Sequence, residues 1–316
     1  MEQQPRALQV LLVSGLAALL LFPLVGDKFY VEFITKVMIM ALFAMSLDLL
    51  VGHAGLVSLG HALFFGLAAY SLMLVTPENH AAGLMTSLAV AVGVAAVASL
   101  VIGLLVLRTS GVYFIMVTLA FGEMAYFYVH DANYLGGSDG KYIYVRPVLD
   151  LFGWQPFDLE KYTHFYYVAL ALLVFVYATL RVLLASPFGR VVAGIKENEH
   201  RLRMLGFPTL RYKLTAFVLA GMLAGLAGWL TAAHDGLVNP AMLSWHQSGQ
   251  LLMMVILGGM GTPAGPLLGA AALKVLELVF QGWTRHWQLL LGAFIVLSVL
   301  FVPRGLAHLL DGRRRD

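Results

Sequence analysis

The sequence predicts an all-α polytopic membrane protein of about ten transmembrane helices, arranged as two inverted five-helix halves. Of its 316 residues, 60% are hydrophobic and only 12% charged, and the mean hydropathy is +0.83, more apolar surface than one soluble core can hide. Apolar stretches near the ~20 residues needed to cross ~30 Å of hydrocarbon recur along the whole chain. Lys and Arg concentrate in alternate connections, as they do when basic loops stay on one side of a bilayer. Ten crossings divide into five and five, and an odd number per half requires any structural repeat to be inverted. This follows from parity alone.

The run 8–25 follows a single Arg6 and lacks a small-x-small cleavage site, so it reads as the first span and not as a removable signal. The runs 29–50, 54–75, 82–107, 111–130, 163–184 and 212–233 follow, each apolar and bounded by polar or Gly/Pro-containing turns. The runs 247–261, 264–281 and 286–302 complete the set. The first two of these are short and separated only around "GGMGTPAGP", so they form either two crossings or a broken, re-entrant pair. A single transmembrane domain over 1–316 is expected, with no soluble domain appended. If the polar insert at 185–211 is cytoplasmic, alternation also places Arg6, Arg108, Arg304 and Arg313 to Arg315 inside, with both termini. Lys28, Lys141, Arg146, Lys161 and Arg285 then face outward, diluted by Asp131, Asp139, Asp150, Asp158, Glu160 and Asp235.

Several function classes lose support. There is no cysteine, hence no disulfide, thiolate metal site or Cys nucleophile. The pI near 9.0 comes without a basic stripe interleaved with aromatics, so nucleic acid is not expected as a partner. "GGSDGK" lacks the first Gly of a P-loop at the required spacing and Tyr142 replaces its Ser/Thr. His53 and His61 are eight apart and miss the i, i+4 spacing of a helical metal pair, so no metal site is expected. An enzyme would have to use Asp48, His53 and His61. A stand-alone carrier or channel would use an intramembrane charge.

Three glycine-rich membrane segments remain: "GHAGLVSLGHALFFGLAAYS" at 52–71, "AGMLAGLAGWL" at 220–230 and "GGMGTPAGPLLGAAA" at 258–272. Gly221/Gly225 and Gly265/Gly269 have the spacing that lets helix backbones approach closely. In the first and third segments, Gly and Pro also leave backbone groups without helical partners, which membrane depth tolerates only against protein or a water-filled path. Ser58, His61 and Phe64 in the first, with Gly258, Gly259 and Gly261 in the third, are therefore candidate path residues. Among the ionisable residues Lys36, Asp48, His53, His61, Glu123, Lys274 and Glu277, Glu123 lies deepest; it either lines a path or bonds a neighbouring helix. Lys274 and Glu277 are three apart and expected to pair. The loop 131–162, aromatic and Gly/Pro-rich, is the longest external connection; it either lies at headgroup level with Trp154 or docks an external protein.

The insert "ASPFGRVVAGIKENEHRLRMLGFPTLRYK" carries six basic and two acidic residues between apolar runs. "VVAGIKENEHRLRMLG" is expected to form a short helix ending at Gly206, with Ile195, Leu202 and Leu205 near one face. Mixed charge around a Leu/Gly tip suits a groove on a protein better than anionic lipid. Gly194, Lys196, Glu197, Asn198, Glu199, Arg201, Leu205 and Gly206 are the candidate contact residues.

These blocks, in order with "SLDLLVGHAGLVSLGHALFFGLAAY", "GVYFIMVTLAFGEM", "LGGSDG", "YKLTAFVLAGMLAGLAGWL", "SGQLLMMVILGGMGTPAGPLLGAA" and "LFVPRGL", resemble the permease subunits of branched-chain amino acid ABC importers, of the LivM type. The resemblance implies a type II permease fold like that of the cobalamin importers. It makes 1–316 one permease domain and 185–211 the cytoplasmic coupling-helix loop that docks on an ATPase. It implies a LivH-type second permease, two LivG/LivF-type ATPases, an external substrate-binding protein and a bacterial cytoplasmic membrane. ATP and Mg would sit on the ATPases, leaving no cofactor or catalytic residue on this chain. Ala125 and Tyr126 after "FGEM", and Lys141 after "GGSDG", depart from the family pattern. Substrates served by related permeases, namely urea, short amides and aromatic carboxylates, therefore stay open beside branched-chain amino acids.

Overall fold

Hydrocarbon offers backbone amides no water, so apolar runs become helices that satisfy their own N–H and C=O groups. The computed structural model describes residues 6–24, 26–76, 82–148, 161–262, 264–302 and 305–310. They contain α1 (Arg6–Leu21), α2 (Lys28–Asp48), α3 (Ala62–Val75), α4 (Leu84–Val106), α5 (Val112–Asp131) and α6 (Tyr162–Ala185). After these come α7 (Pro187–Met204), α8 (Thr209–Asp235), α9 (Trp245–Gly258), α10 (Gly265–Trp283), α11 (Trp287–Phe301) and α12 (Leu306–Leu310). The loop stretch 149–160 with Asp150, Trp154, Asp158 and Glu160, and the basic residues Arg304 and Arg313 to Arg315, lie outside the described residues.

Among the described residues, six helical stretches are long and apolar enough to cross a membrane: Lys28–Ala54, α4, α5, α6, α8 and α10. The chain is thus a multi-pass, all-α membrane protein. The first stretch is α2 prolonged by a π-helical turn over Leu49–Ala54. α3 and α9 have 14 residues each, ~21 Å at 1.5 Å per residue. They are short because residues 55–61 and the stretch between α9 and α10 leave the helix. The expected span 54–75 is therefore mostly a non-helical stretch followed by α3, and the helix of α2, continued by its π-helical turn to Ala54, runs past its expected end at 50.

α2 and α8 form the core. α2 is buried from Met38 to Asp48 except at Met40, and α8 is buried from Ala227 to Ala233, whereas α4, α5, α6 and α10 each expose a broad apolar face. Glycines set the closeness of α8 to its neighbours: Gly221 seats on Ser99 and Gly225 on Ala95 of α4, and Gly228 rests on the Phe65 carbonyl of α3. Trp229 fills the space beside them and donates its indole N–H to Ser87 Oγ at 3.2 Å. At the end of the bundle away from α7, β1 (Lys141–Tyr142) pairs antiparallel with β2 (Leu237–Val238), Lys141 opposite Val238. Arg146 donates to the His234 carbonyl at 3.0 Å, so the described part of the 131–162 loop is strapped to the end of α8.

Candidate functional site

The polar insert folds into α7 and its turn. Ser186 is extended and Pro187 occupies the first turn, where its missing N–H costs nothing, so α7 starts four residues before the expected Val191. Val192 and Ile195 are buried against the bundle. At Asn198 the backbone leaves the helix (φ −158°, ψ 95°), and its Oδ1 accepts the Arg201 N–H at 2.9 Å, capping a second short turn. That turn ends as expected at Gly206. Its φ of +85° allows the Phe207 N–H to reach the Leu202 carbonyl at 3.1 Å and its own N–H to reach Arg203 at 3.0 Å. The interruption changes which residues face outward. Leu205, expected on one face with Ile195 and Leu202, parts from the buried Ile195 and is 65% exposed beside Met204 at 77%.

The candidate contact residues divide. Lys196, Glu197, Asn198, Arg201, Leu205 and Gly206 are on the exposed side, and Gly194 is half-buried against Leu202. Glu199 is turned inward: it accepts from Arg203 at 2.6 Å, Thr209 Oγ1 at 3.0 Å and the buried Lys213 at 2.9 Å. Burial opposes its charge, but the Lys213 and Arg203 bonds prevail and hold its carboxyl below the usual 4.5. Glu199 thus clamps α7 to the start of α8.

α7 also reaches into the membrane part. Lys196 Nζ donates to the Gly52 carbonyl at 2.7 Å. Beside it, Asp48 Oδ1 accepts the Gly261 N–H at 2.8 Å, and His53 Nδ1 lies 3.6 Å from Asp48 Oδ2. A Cβ on Gly52 would overlap the Asp48 carboxylate and the Gly261 amide, so glycine is required for this approach. The two broken segments, at 52–61 and 259–262, therefore pack on each other, and side chains answer the backbone groups the breaks set free. The Ala62 N–H at the start of α3 is likewise answered by Ser248 Oγ of α9 at 2.9 Å.

The candidate path residues fall into three places. Ser58, His61 and Phe64 are fully buried; His61 Nε2 bonds Ser46 Oγ at 2.9 Å, and its ring stacks on Phe43 and meets Phe64 edge-on. Ser58 and Phe64 line a narrow cleft with Thr118, Phe121 and Phe217. Gly258, Gly259 and Gly261 form the break between α9 and α10, in touch with Gly52, Gly265 and Gly305. Glu123 stands apart from both and accepts the Trp245 N–H at the start of α9, at 3.3 Å. Asp48 and His53 are neighbours, whereas His61 faces Ser46, so the three do not converge as an enzyme would need.

Sequence reasoning missed one cavity. At the end away from α7, α2, α8 and α10 enclose about 430 Å³ lined by Lys36, Asp235, Lys274 and Glu277, with Phe33 and Leu278 on its walls. Lys36 pairs with Asp235 at 3.0 Å, and Lys274 with Glu277 at 2.8 Å, the latter as the spacing predicts. Lys36, Lys274 and Glu277 were each visible as charges inside spans. Their convergence with Asp235 is a product of the packing.

The model of the family described as "Branched-chain amino acid transport system / permease component" matches residues 29–299. The chain is 31% identical to the high-affinity branched-chain amino acid transport system permease protein LivM of Escherichia coli, covering 94% of this chain and 74% of that protein. It is likewise 31% identical to the LivM protein of Salmonella typhimurium, covering 96% of this chain and 75% of that protein. To the permease protein LivH of Salmonella typhimurium it is 26% identical over 38% of this chain and 40% of that protein. No solved structure matches the chain.

Proposed function

Since the chain belongs to the permease components of branched-chain amino acid transport systems, we propose that it is the LivM-type membrane subunit of an ATP-driven importer carrying branched-chain or other hydrophobic amino acids into the cytoplasm. ATP and Mg bind on two partner ATPases of the LivG/LivF type, and this chain performs no chemistry of its own. A LivH-type permease completes the path, and an external binding protein delivers substrate. In this reading the chain crosses a bacterial cytoplasmic membrane ten times in a type II arrangement of inverted halves, with both termini cytoplasmic. Residues 1–316 are one permease domain, 131–162 face the binding protein, and 185–211 face the ATPase.

One observation supports the coupling role above the others: a single side chain, Lys196, joins the exposed face of α7 to the broken segment at Gly52, which itself touches the α9–α10 break. An ATPase that moves α7 therefore pulls on both helix breaks. Exposed Glu197, Arg201, Met204 and Leu205 offer mixed charge and apolar surface to the partner. Alternating access follows if ATP binding and ADP release hold α7 in two positions. Ser58, His61, Phe64, Glu123, Gly258, Gly259 and Gly261 are retained as path residues. The test is reconstitution of the co-purified complex in liposomes. ATP-dependent leucine uptake is the expected result; uptake by this chain alone, driven by a proton or sodium gradient, would overturn the reading.

A further inference from the structure

We propose that the cavity between α2, α8 and α10 binds an amphoteric ligand, one presenting an ammonium beside a carboxylate or phosphate, as a free amino acid or an ethanolamine phospholipid headgroup does. Charges at membrane depth are costly, at least ~2.5–3.5 kcal/mol each on insertion scales, and of the four groups only Asp235 is at a helix end. Lys36 lies eight residues into α2, ~12 Å from its start, and Glu277 six residues before the end of α10, ~9 Å. An ion pair that merely fastened α2 to α8, beside one that stapled a face of α10, would be packed tightly around. Here they border about 430 Å³ of space, within the range of roughly 300–1,000 Å³ typical of small-molecule sites.

The chemistry of the lining selects the ligand class. Lys36 and Lys274 each have three donors, and the carboxylates of Asp235 and Glu277 each have about four acceptor positions; His234 at 2.9 Å from Asp235 and Gln281 at 3.4 Å from Glu277 take one each beside the lysine, which leaves about half of the acceptor positions available. These four charges sum to zero; Glu32 also lines the cavity and its charge is offset by Lys28 at 3.8 Å, so the balance holds with that pair included. A simple anion would gain two lysines and meet two carboxylates, and a simple cation the reverse, whereas a ligand carrying both signs satisfies each pair. Phe33, Met40 and Leu278 give the same cavity an apolar wall for an alkyl chain. Lys36 is 53% exposed and Asp235 33%, so the site is open to entry. For the free amino acid this rests on the transport reading above.

The test uses the complete purified complex in nanodiscs of phosphatidylcholine, with and without phosphatidylethanolamine. Equilibrium binding of radiolabelled L-leucine, competed by isoamylamine and by 4-methylpentanoate, is measured beside native mass spectrometry of retained lipid. Lys36→Gln and Glu277→Gln remove one charge each. The exchange of Lys36→Asp with Asp235→Lys keeps an ion pair, and hence the fold, while reversing its polarity. At least tenfold weaker leucine binding in all three, with both single-charge competitors ineffective, supports an amino acid site. Loss of bound phosphatidylethanolamine with leucine binding unaltered supports a headgroup site. Leucine and lipid both unaffected by every variant overturns the proposal. ATP-driven leucine uptake by the unmodified complex separates the two readings. Normal uptake with charge-insensitive binding sinks the site alone, and absent uptake with charge-sensitive binding sinks the transport reading alone.

Discussion

Lys196 places its ammonium 2.7 Å from the carbonyl oxygen of Gly52, a residue 144 positions earlier in the chain. A hydrogen bond from a charged donor contributes about 1.5–3 kcal/mol, which corresponds to roughly ten- to a hundredfold in the population of whatever state contains it. Lys196→Met keeps the stem and removes the donor. Transported leucine per ATP hydrolysed is expected to fall at least tenfold in proteoliposomes while ATPase activity persists. An unchanged ratio would show that the contact is incidental.

Gly52→Ala inserts a methyl group between the Asp48 carboxylate and the Gly261 amide. Overpacking of this kind costs about 1–3 kcal/mol, and here it also separates a buried hydrogen bond. A clear fall in the thermal midpoint of the detergent-solubilised permease is expected. A midpoint equal to that of the unmodified protein would mean that the two broken segments are not held together as described.

The Glu199 clamp gives a dependence on pH whose sign is fixed. Its folded carboxyl titrates below the ordinary 4.5, so the charged form is the stabilising one. The stabilisation is complete above the unfolded value and disappears as pH falls through the lower folded one. Glu199→Gln is therefore expected to be less stable than the native protein at pH 7, with the gap closing only below about pH 4.5. Melting curves of the two proteins between these limits decide it; a constant gap would refute the clamp.

On the exposed side of α7, Glu197→Arg combined with Arg201→Glu reverses two surface charges without touching a buried group. The permease is expected to remain folded and membrane-inserted, while uptake and recovery of the ATPases in a pull-down are both lost. Normal transport by this double variant would remove the coupling assignment.

Glu123→Gln keeps an acceptor for the Trp245 N–H, so assembly and stability are expected to be unaffected. Leucine uptake kinetics should change if the carboxylate lines the path. Identical KM and maximal rate would leave it a structural bond between α5 and the start of α9.

Much of the fold was legible because hydropathy, Pro187 and Gly206 are local signals, and helices close their hydrogen bonds locally. The break at Asn198 was not, since an asparagine in a charged run reads equally as surface or as a cap. Glu199 looked like its neighbour Glu197, and only Lys213, fourteen residues on, turns it inward. Asp48 was visible as an intramembrane charge, but its partner is a backbone N–H 213 positions away, and a backbone group leaves no trace in sequence. The cavity of Lys36, Asp235, Lys274 and Glu277 needed three separate helices to be packed before its four charges met.

α8 starts at the Glu199 clamp and ends at Asp235 on the cavity, 27 residues without a proline. It is thus a single strut of ~40 Å between the α7 clamp and the opposite rim of the bundle. A tilt of ~5° about one end displaces the other by ~3.5 Å, more than a hydrogen bond can stretch, from the same length. Its glycines at 221, 225 and 228 press directly onto α4 and α3, and the Trp229–Ser87 bond ties the same stretch to α4. A displacement of α7 through the Glu199 clamp would therefore be felt at a distance, at Asp235, along one continuous helix.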